Sequence, residues 1–422
     1  MKIVYPICCG IDVHKTFLVA TIVSAQHPPT LRYEKKRFST FHKDLLALRD
    51  WLLANNCLDV CMESTGKYWI PVLNVLEKDL RVVVVNPKWV RAVKGNKDDV
   101  KDSKWIGELF CFGIVRESFI PEKPVRILRE FTRYRSKLVA ARSSEKNRFQ
   151  NGFTVCNVTL DAVVSDMFGK SASKITDYLL KTDSPVPEEC VSFLHHSMLK
   201  KAPDIVDSLT GFQMTAEQKL RMLIIREHME FIDKQLHKID MILDELVKPY
   251  EAAINLLCSI PGIRRETAIN IISEIGTDMS QFSSSKRLCC WAGLTPGSNE
   301  SAGKKKSVKI TRAGVYLKPA LVEAAHAAVK CKSSSYYSLK YERIAKRRGK
   351  KRAIIAIARM ILTAIYHMFV TGEKWNPSDL NKVDMPSEIR EKKRKDEIRR
   401  AINLLREEGV LTDEALHLSD SA

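Results

Sequence analysis

A chain of 422 residues is long enough for two or three domains, and a hydrophobic content of 45% can bury a sizeable core. Its formal charge of +19, from 69 Lys and Arg against 50 Asp and Glu, excludes an acidic, solvating protein and points to a polyanionic partner, nucleic acid being the usual one. The 11 cysteines and 10 histidines carry no zinc-ligand spacing, since Cys57 and Cys61 have no second pair beside them, so the thiols read as reduced packing residues of a bacterial cytosolic protein.

The first stretch alternates strand and helix signals. Strands are predicted at Ile7–Val13, Phe17–Ser24 and Leu31–Phe38, then a helix from Lys43 to Ala54 with apolar residues at helical spacing. A strand at Leu58–Met62, a helix at Tyr68–Leu80, a strand at Val82–Val85 and a helix from Asp99 to Phe112 follow. Three strands, then helix–strand–helix–strand–helix, predicts an α/β domain over residues 1–124. By analogy, this is the order of a ribonuclease-H-like layer fold.

Four acids stand out in this region. Asp12 interrupts the apolar run Ile7–Val13, where a carboxylate is costly to bury unless it is paired or metal-bound. Glu63 ends the run Leu58–Met62. Asp99 and Asp102 are three apart on one predicted helix and so share a face. Each alone reads as a surface charge, a cap or a salt-bridge partner, and Asp98 is a possible substitute ligand. Together they are a set of strand-end and helix carboxylates able to hold two divalent cations, Mg²⁺ or Mn²⁺, that clamp a phosphodiester.

Pro121 and Pro124 mark a boundary, and residues 125–250 read as a helical and coiled-coil region. It opens on a basic helix to about Asn151. Short helices and loops are expected over 152–213. A capping box at Thr215 and Gln218 then starts a long helix with Met222, Ile225, Met229, Ile232, Leu236, Ile239, Leu243 and Leu246 at alternating spacings of three and four. That seam either folds back on the Val125–Asn151 helix or pairs with another subunit.

Residues 251–375 form a second, mainly helical unit. Ile260-Pro261-Gly262-Ile263 suits either a phosphate-binding helical hairpin or an ordinary glycine turn. From Ser301 to Arg352 there are 16 Lys and Arg against two acids, with Tyr336, Tyr337 and Tyr341 placed to stack on bases. Lys304, Lys305, Lys306, Lys309, Arg312, Arg347, Arg348, Lys350, Lys351 and Arg352 are the candidate phosphate contacts. The glycine- and serine-rich stretch Gly293–Lys304 reads, on its chemistry, as a phosphate-binding loop before a nucleophile. The apolar segment Ala353–Val370 contains Arg359 and His367 and reads as a core helix, not a membrane span. Residues 376–422 form a charged tail with one helix from about Pro386 to Leu405.

Three segments, Gly10-Ile11-Asp12-Val13-His14-Lys15, Met62-Glu63-Ser64-Thr65-Gly66 and Lys97 to Trp105, resemble the DEDD transposases of bacterial insertion sequences, a family that includes Piv-like invertases and bridge-RNA-guided recombinases. Ala292–Lys304 and Lys309–Leu321 resemble its transposase domain, and the likeness runs from about residue 7 to 370. The resemblance implies a RuvC-like N-terminal domain, a long coiled-coil insertion and a helical transposase domain. It implies that Asp12, Glu63, Asp99 and Asp102 ligate Mg²⁺ and that Ser301 is a nucleophile forming a covalent link to DNA. It also implies a homo-oligomer (dimer or tetramer) with shared active sites and a noncoding guide RNA. Asp98 stands where the family often has threonine, and Arg312-Ala313-Gly314 departs from the usual basic–glycine spacing. The expected function is Mg-dependent strand cleavage and rejoining by a DNA recombinase. The alternatives are a RuvC-like endonuclease cutting with water, which needs no Ser301, and a non-catalytic nucleic-acid-binding protein, indifferent to Mg²⁺.

Overall fold

In a computed structural model, the described residues are 2–27, 30–64, 66–87, 99–297, 300–301, 304–305, 309–332, 334–377 and 387–407. They fall into two compact units, Met1–Pro121 and Glu122–Ala422, taken in turn below.

The first unit runs β1 (Ile7–Val13), β2 (Phe17–His27), β3 (Thr30–Ser39), α1 (His42–Ala54), β4 (Asp59–Glu63), α2 (Trp69–Leu76), β5 (Arg81–Val85) and α3 (Asp99–Cys111). This is the α/β order expected. The sheet order is β3-β2-β1-β4-β5, with β1 antiparallel to β2 and parallel to β4. Side chains alternate across a strand, and β1 uses both faces. Cys9, Ile11 and Val13 join Leu45, Leu48 and Leu52 of α1 and Val72, Leu73 and Leu76 of α2 in one core layer. Cys8 joins Ile106, Phe110 and Cys111 of α3 in the other. Strands β4 and β5 are covered on both faces and so read as continuous apolar runs. The second helix ends four residues earlier than its apolar pattern suggests, because Glu77–Asp79 turn the chain into β5. Burial raises the Cys57 and Cys61 thiols to about 12, as suits inert packing residues.

The second unit opens on α4 (Lys123–Val155), 33 residues long. Three short helices follow: α5 (Leu160–Val163), α6 (Lys170–Lys181) and α7 (Ala202–Leu209). Then comes α8 (Ala216–Leu246), 31 residues long, started by the Thr215–Gln218 capping box. Arg135 pairs with Asp240, Arg142 with Asp233 and Glu145 with His228. These pairs run in opposite senses along the two helices, so α8 folds back antiparallel on α4. Its apolar seam is buried from Met222 to Leu243. The short helices close their own core against Phe149, Phe153, Met222, Ile225 and Met229.

The chain continues through α9 (Glu251–Cys258), α10 (Arg265–Ile275), α11 (Ser285–Trp291), a hairpin of β6 (Glu300–Ser301) and β7 (Lys304–Lys305), α12 (Leu317–Val329), α13 (Tyr336–Arg348), α14 (Lys350–Thr371) and α15 (Ser387–Glu407). Helix α14 is long and apolar enough to cross a membrane by composition. It serves as the central core helix, burying Ile354, Ile357, Ile361, Leu362 and Ile365 among α11, α12 and α13. Two expectations change here. At Gly262 (φ 90°), an added Cβ would lie 2.5 Å from the Ala324 carbonyl oxygen of α12, so this glycine allows close helix packing. Tyr336 and Tyr337 are 8% and 1% exposed and pack on Trp375, whose indole N–H donates to the Tyr337 hydroxyl at 3.1 Å. These two rings belong to the core and are not available for base stacking; Tyr341 is half-buried.

Candidate nuclease site and nucleic-acid interface

Two of the four acids sit at neighbouring strand ends. Cys8 to Ile11 of β1 pair in parallel with Asp59 to Met62 of β4, which leaves Asp12 and Glu63 as the next residues on each strand. Both fall on the sheet face that α3 covers, since Ile11 and Met62 just before them point into the opposite layer. Asp12 is 9% exposed and Glu63 is half-buried. Asp102 lies on α3 one turn before the buried Ile106, on the stripe that packs against this face. Asp99 is three residues earlier on the same helix; its side chain, like the whole of Asp98, lies outside the described residues.

The docking of α3 is tight where it matters for these acids. A Cβ on Gly10 would stand 2.2 Å from the Ser103 carbonyl oxygen and 2.3 Å from the Gly107 nitrogen. Strand and helix backbones therefore touch at a glycine pair. Beside them, the buried Thr21 and Ser103 hydroxyls share a hydrogen bond of 2.8 Å. Ser103 is the residue after Asp102, so this bond and the Gly10 contact fix the height of Asp102 along β1. Gly10→Ala is expected to push α3 away and to cost about 3 kcal/mol, the upper end for overpacking, because backbone cannot rotate aside. Gly107→Ala should cost less. Its Cβ meets a Val23 methyl at 2.7 Å, and alanine recovers up to about 1 kcal/mol of helix propensity. Chemical denaturation of the two variants checks the order.

Sequence reasoning overlooked His14. It lies two residues from Asp12, and its Nε2 is 3.0 Å from Asp12 Oδ2. Its ring stacks on Phe17 at 4.5 Å between centroids. The Asp-x-His spacing, which puts both side chains on one strand face, was the available signal. Among the described residues no three His, Cys, Asp or Glu side chains gather into a group that could hold a metal ion. The structure thus brings Asp12, Glu63 and Asp102 to one face of the sheet without closing them into a cage. Their chemistry fits a hard divalent cation: all are carboxylate oxygen donors, the set that Mg²⁺ and Mn²⁺ prefer.

In the second unit, Ser301 pairs with Lys304 across the β6–β7 hairpin. The side chains of Ser301, Lys304 and Lys305 and the whole of Lys306 lie outside the described residues. The base of the hairpin is held by a Pro296–Ile310 bridge. Below it, Gly293 and Gly314, both at positive φ, pack back to back with Ala313 and Ala292. Lys309, Arg312, Arg347, Arg348, Lys350, Lys351 and Arg352 are all exposed. Lys350, Lys351 and Arg352 occupy the first turn of α14, where the helix dipole disfavours cations. Among the described residues, no carboxylate pairs with them. A bound polyanion would offset that cost.

Comparison with known proteins agrees with these placements. A family profile named for the DEDD transposases of IS110 elements and described as "Transposase" matches residues 9–156, which include all four acids. A second, described as "Transposase IS116/IS110/IS902 family", matches residues 254–339, which include Ser301. The transposase for insertion sequence element IS1111A of Coxiella burnetii (strain RSA 493 / Nine Mile phase I) is 29% identical over 146 residues, covering 31% of this chain and 40% of that protein. The two profiles stand in family order on a chain whose first unit carries the acids and whose second carries the serine and the basic surface; the chain belongs to the IS110-type DEDD transposases of the IS116/IS110/IS902 family.

Proposed function

We propose that this protein is a transposase that cuts and rejoins the DNA of an insertion sequence through a RuvC-like, DEDD-type nuclease site. The observation that carries the reading is the placement of Asp12 and Glu63 side by side at parallel strand ends, beneath the helix that bears Asp102. Asp12, Glu63, Asp99 and Asp102 would hold Mg²⁺ or Mn²⁺. When bound, the cations would polarise the scissile phosphate and steady the leaving oxygen. His14 would orient Asp12 through its ring N–H.

Ser301 is the proposed nucleophile. Its Oγ would form a bond to the scissile phosphorus as the hydroxyl proton departs, and the deoxyribose oxygen would leave with the bonding pair. Lys304, Lys305, Lys306, Lys309 and Arg312 would neutralise the phosphate charge around it. Arg347, Arg348, Lys350, Lys351 and Arg352 would hold DNA or a noncoding guide RNA through phosphates. The antiparallel α4–α8 pair would act as a coiled-coil arm in a homo-oligomer, a dimer or tetramer with active sites shared between subunits.

The test is to trap the protein–DNA adduct. The native chain with Mg²⁺ should yield a covalent adduct that survives denaturation. Ser301→Ala should yield none, while binding the same DNA within a few-fold. Cleavage by Ser301→Ala at the native rate would reject the serine mechanism in favour of attack by water.

A further inference from the structure

The sheet edge beside the acids carries cations that the reading above does not use. Residues 32–37 of β3, Arg32-Tyr33-Glu34-Lys35-Lys36-Arg37, are exposed along their whole length. Cations on an edge strand commonly serve only to block edge-to-edge pairing. Here their register adds something. Asp12 pairs with Val19, and Val19 pairs with Arg37, so the three stand in one row across the sheet, with side chains on the face that α3 covers. Lys35 stands in the next row, opposite Thr21 and Gly10, on the same face. Two strand spacings separate Arg37 from Asp12, roughly 10 Å. That is about three nucleotides at a rise of 3.4 Å per strand.

Arg37 is also held in place. Its guanidinium lies 3.8 Å from the centre of the Phe17 ring. Phe17 stacks on His14, and His14 contacts Asp12. A continuous run of contacts therefore joins an exposed cation to the buried carboxylate. Blocking an edge needs neither this stacking nor this alignment. Among the described residues, no carboxylate pairs with Lys35 or Arg37. A planar guanidinium fixed on a ring, with its N–H groups free at the rim, suits a phosphate oxygen.

We propose that Lys35 and Arg37 form a phosphate-binding rail on the β3 edge, along which the DNA strand to be cut reaches Asp12 and Glu63. The proposal rests on the carboxylate reading for its destination, but its test does not. Full-length protein is titrated with a labelled duplex oligonucleotide at several salt concentrations. Removing both cations, as Lys35→Gln with Arg37→Gln, should lower the slope of log affinity against log salt by about 1.8, the value for two phosphate contacts. The thermal midpoint should stay unchanged, because both side chains are exposed. Arg37→Lys should restore most of the slope. In cleavage assays, Arg37→Gln should raise KM with little change in kcat, the pattern of lost substrate binding. An unchanged slope in the doubly substituted chain overturns the rail, whether or not new self-association then marks the cations as edge protection. Cleavage surviving in Asp12→Asn sinks the carboxylate reading instead, and leaves that slope where it was.

Discussion

Asp12→Asn is expected to lower DNA strand cleavage by at least about 10³-fold, the upper end of what one preorganised electrostatic group supplies, without unfolding the protein. Asparagine keeps the shape of the side chain and one of its acceptor oxygens. The strand around it is secured by Ile11 and Val13, which are 0% and 1% exposed and face the other layer. What disappears is charge. Asp12 and Glu63 stand at adjacent strand ends on one sheet face, so their carboxylates repel unless a cation lies between them. Neutralising one relieves that repulsion, and in metal-free buffer the variant should melt no lower than the native chain. Added Mg²⁺ should raise the native melting point, as ligand binding to the folded state does by about 2.7 kcal/mol at a hundredfold excess over Kd. The variant should lose most of that rise. Differential scanning calorimetry with and without Mg²⁺ reads both effects without any cleavage assay. A metal-induced rise of equal size in both proteins would remove Asp12 from the ligand set.

The parts of this fold that were legible before any coordinates are those governed by local periodicity. The alternation in Ile7–Val13 gave β1 its bounds, and the Thr215 capping box gave the start of α8. Convergence of the acids could be anticipated only as a consequence of the α/β order. The register that sets Glu63 beside Asp12 depends on long-range pairing, which no local pattern states. The contact between Gly10 and Gly107 was likewise invisible: ninety-seven positions apart, each looked like an ordinary small residue in an element. Isolated glycines inside a strand and inside a helix are nevertheless the mark of close backbone approach. Tyr336 and Tyr337 misled because a basic neighbourhood suggested stacking on bases. Their burial depends on Trp375, which closes over them from beyond the end of α14. Arg37 went unnoticed because its position on the sheet face is set by two successive strand pairings, each of which had to be known first.

Glu274→Ala is expected to destabilise the second unit by about 3–5 kcal/mol, the cost of leaving buried charge without its partner. Glu274 lies at the end of α10 and is 5% exposed. Its carboxylate accepts two hydrogen bonds from Arg133 of α4, at 2.7 and 2.8 Å. Arg129, one turn earlier, donates to the backbone oxygens of Ser273 and Glu274 at 2.9 and 2.6 Å, closing the C-terminal turn of α10. Burial lowers Arg129 to about 10 even with Glu274 nearby, so removing the carboxylate leaves this guanidinium in still poorer surroundings. The joint is the ionic lock between the long arm helix and the helical core. Arg133→Ala should cost less, because the Arg133 side chain is 39% exposed and solvent already screens it. Glu274→Gln should fall between, keeping one acceptor for the fork. For a unit of this size the Glu274→Ala loss corresponds to a melting shift of roughly 10 °C. Combining Glu274→Ala with Arg133→Ala should cost clearly less than the sum of the two, since the pair shares one interaction. Strict additivity in that cycle would show that Glu274 and Arg133 stabilise the joint independently, and would leave packing, not charge, as what locks the arm.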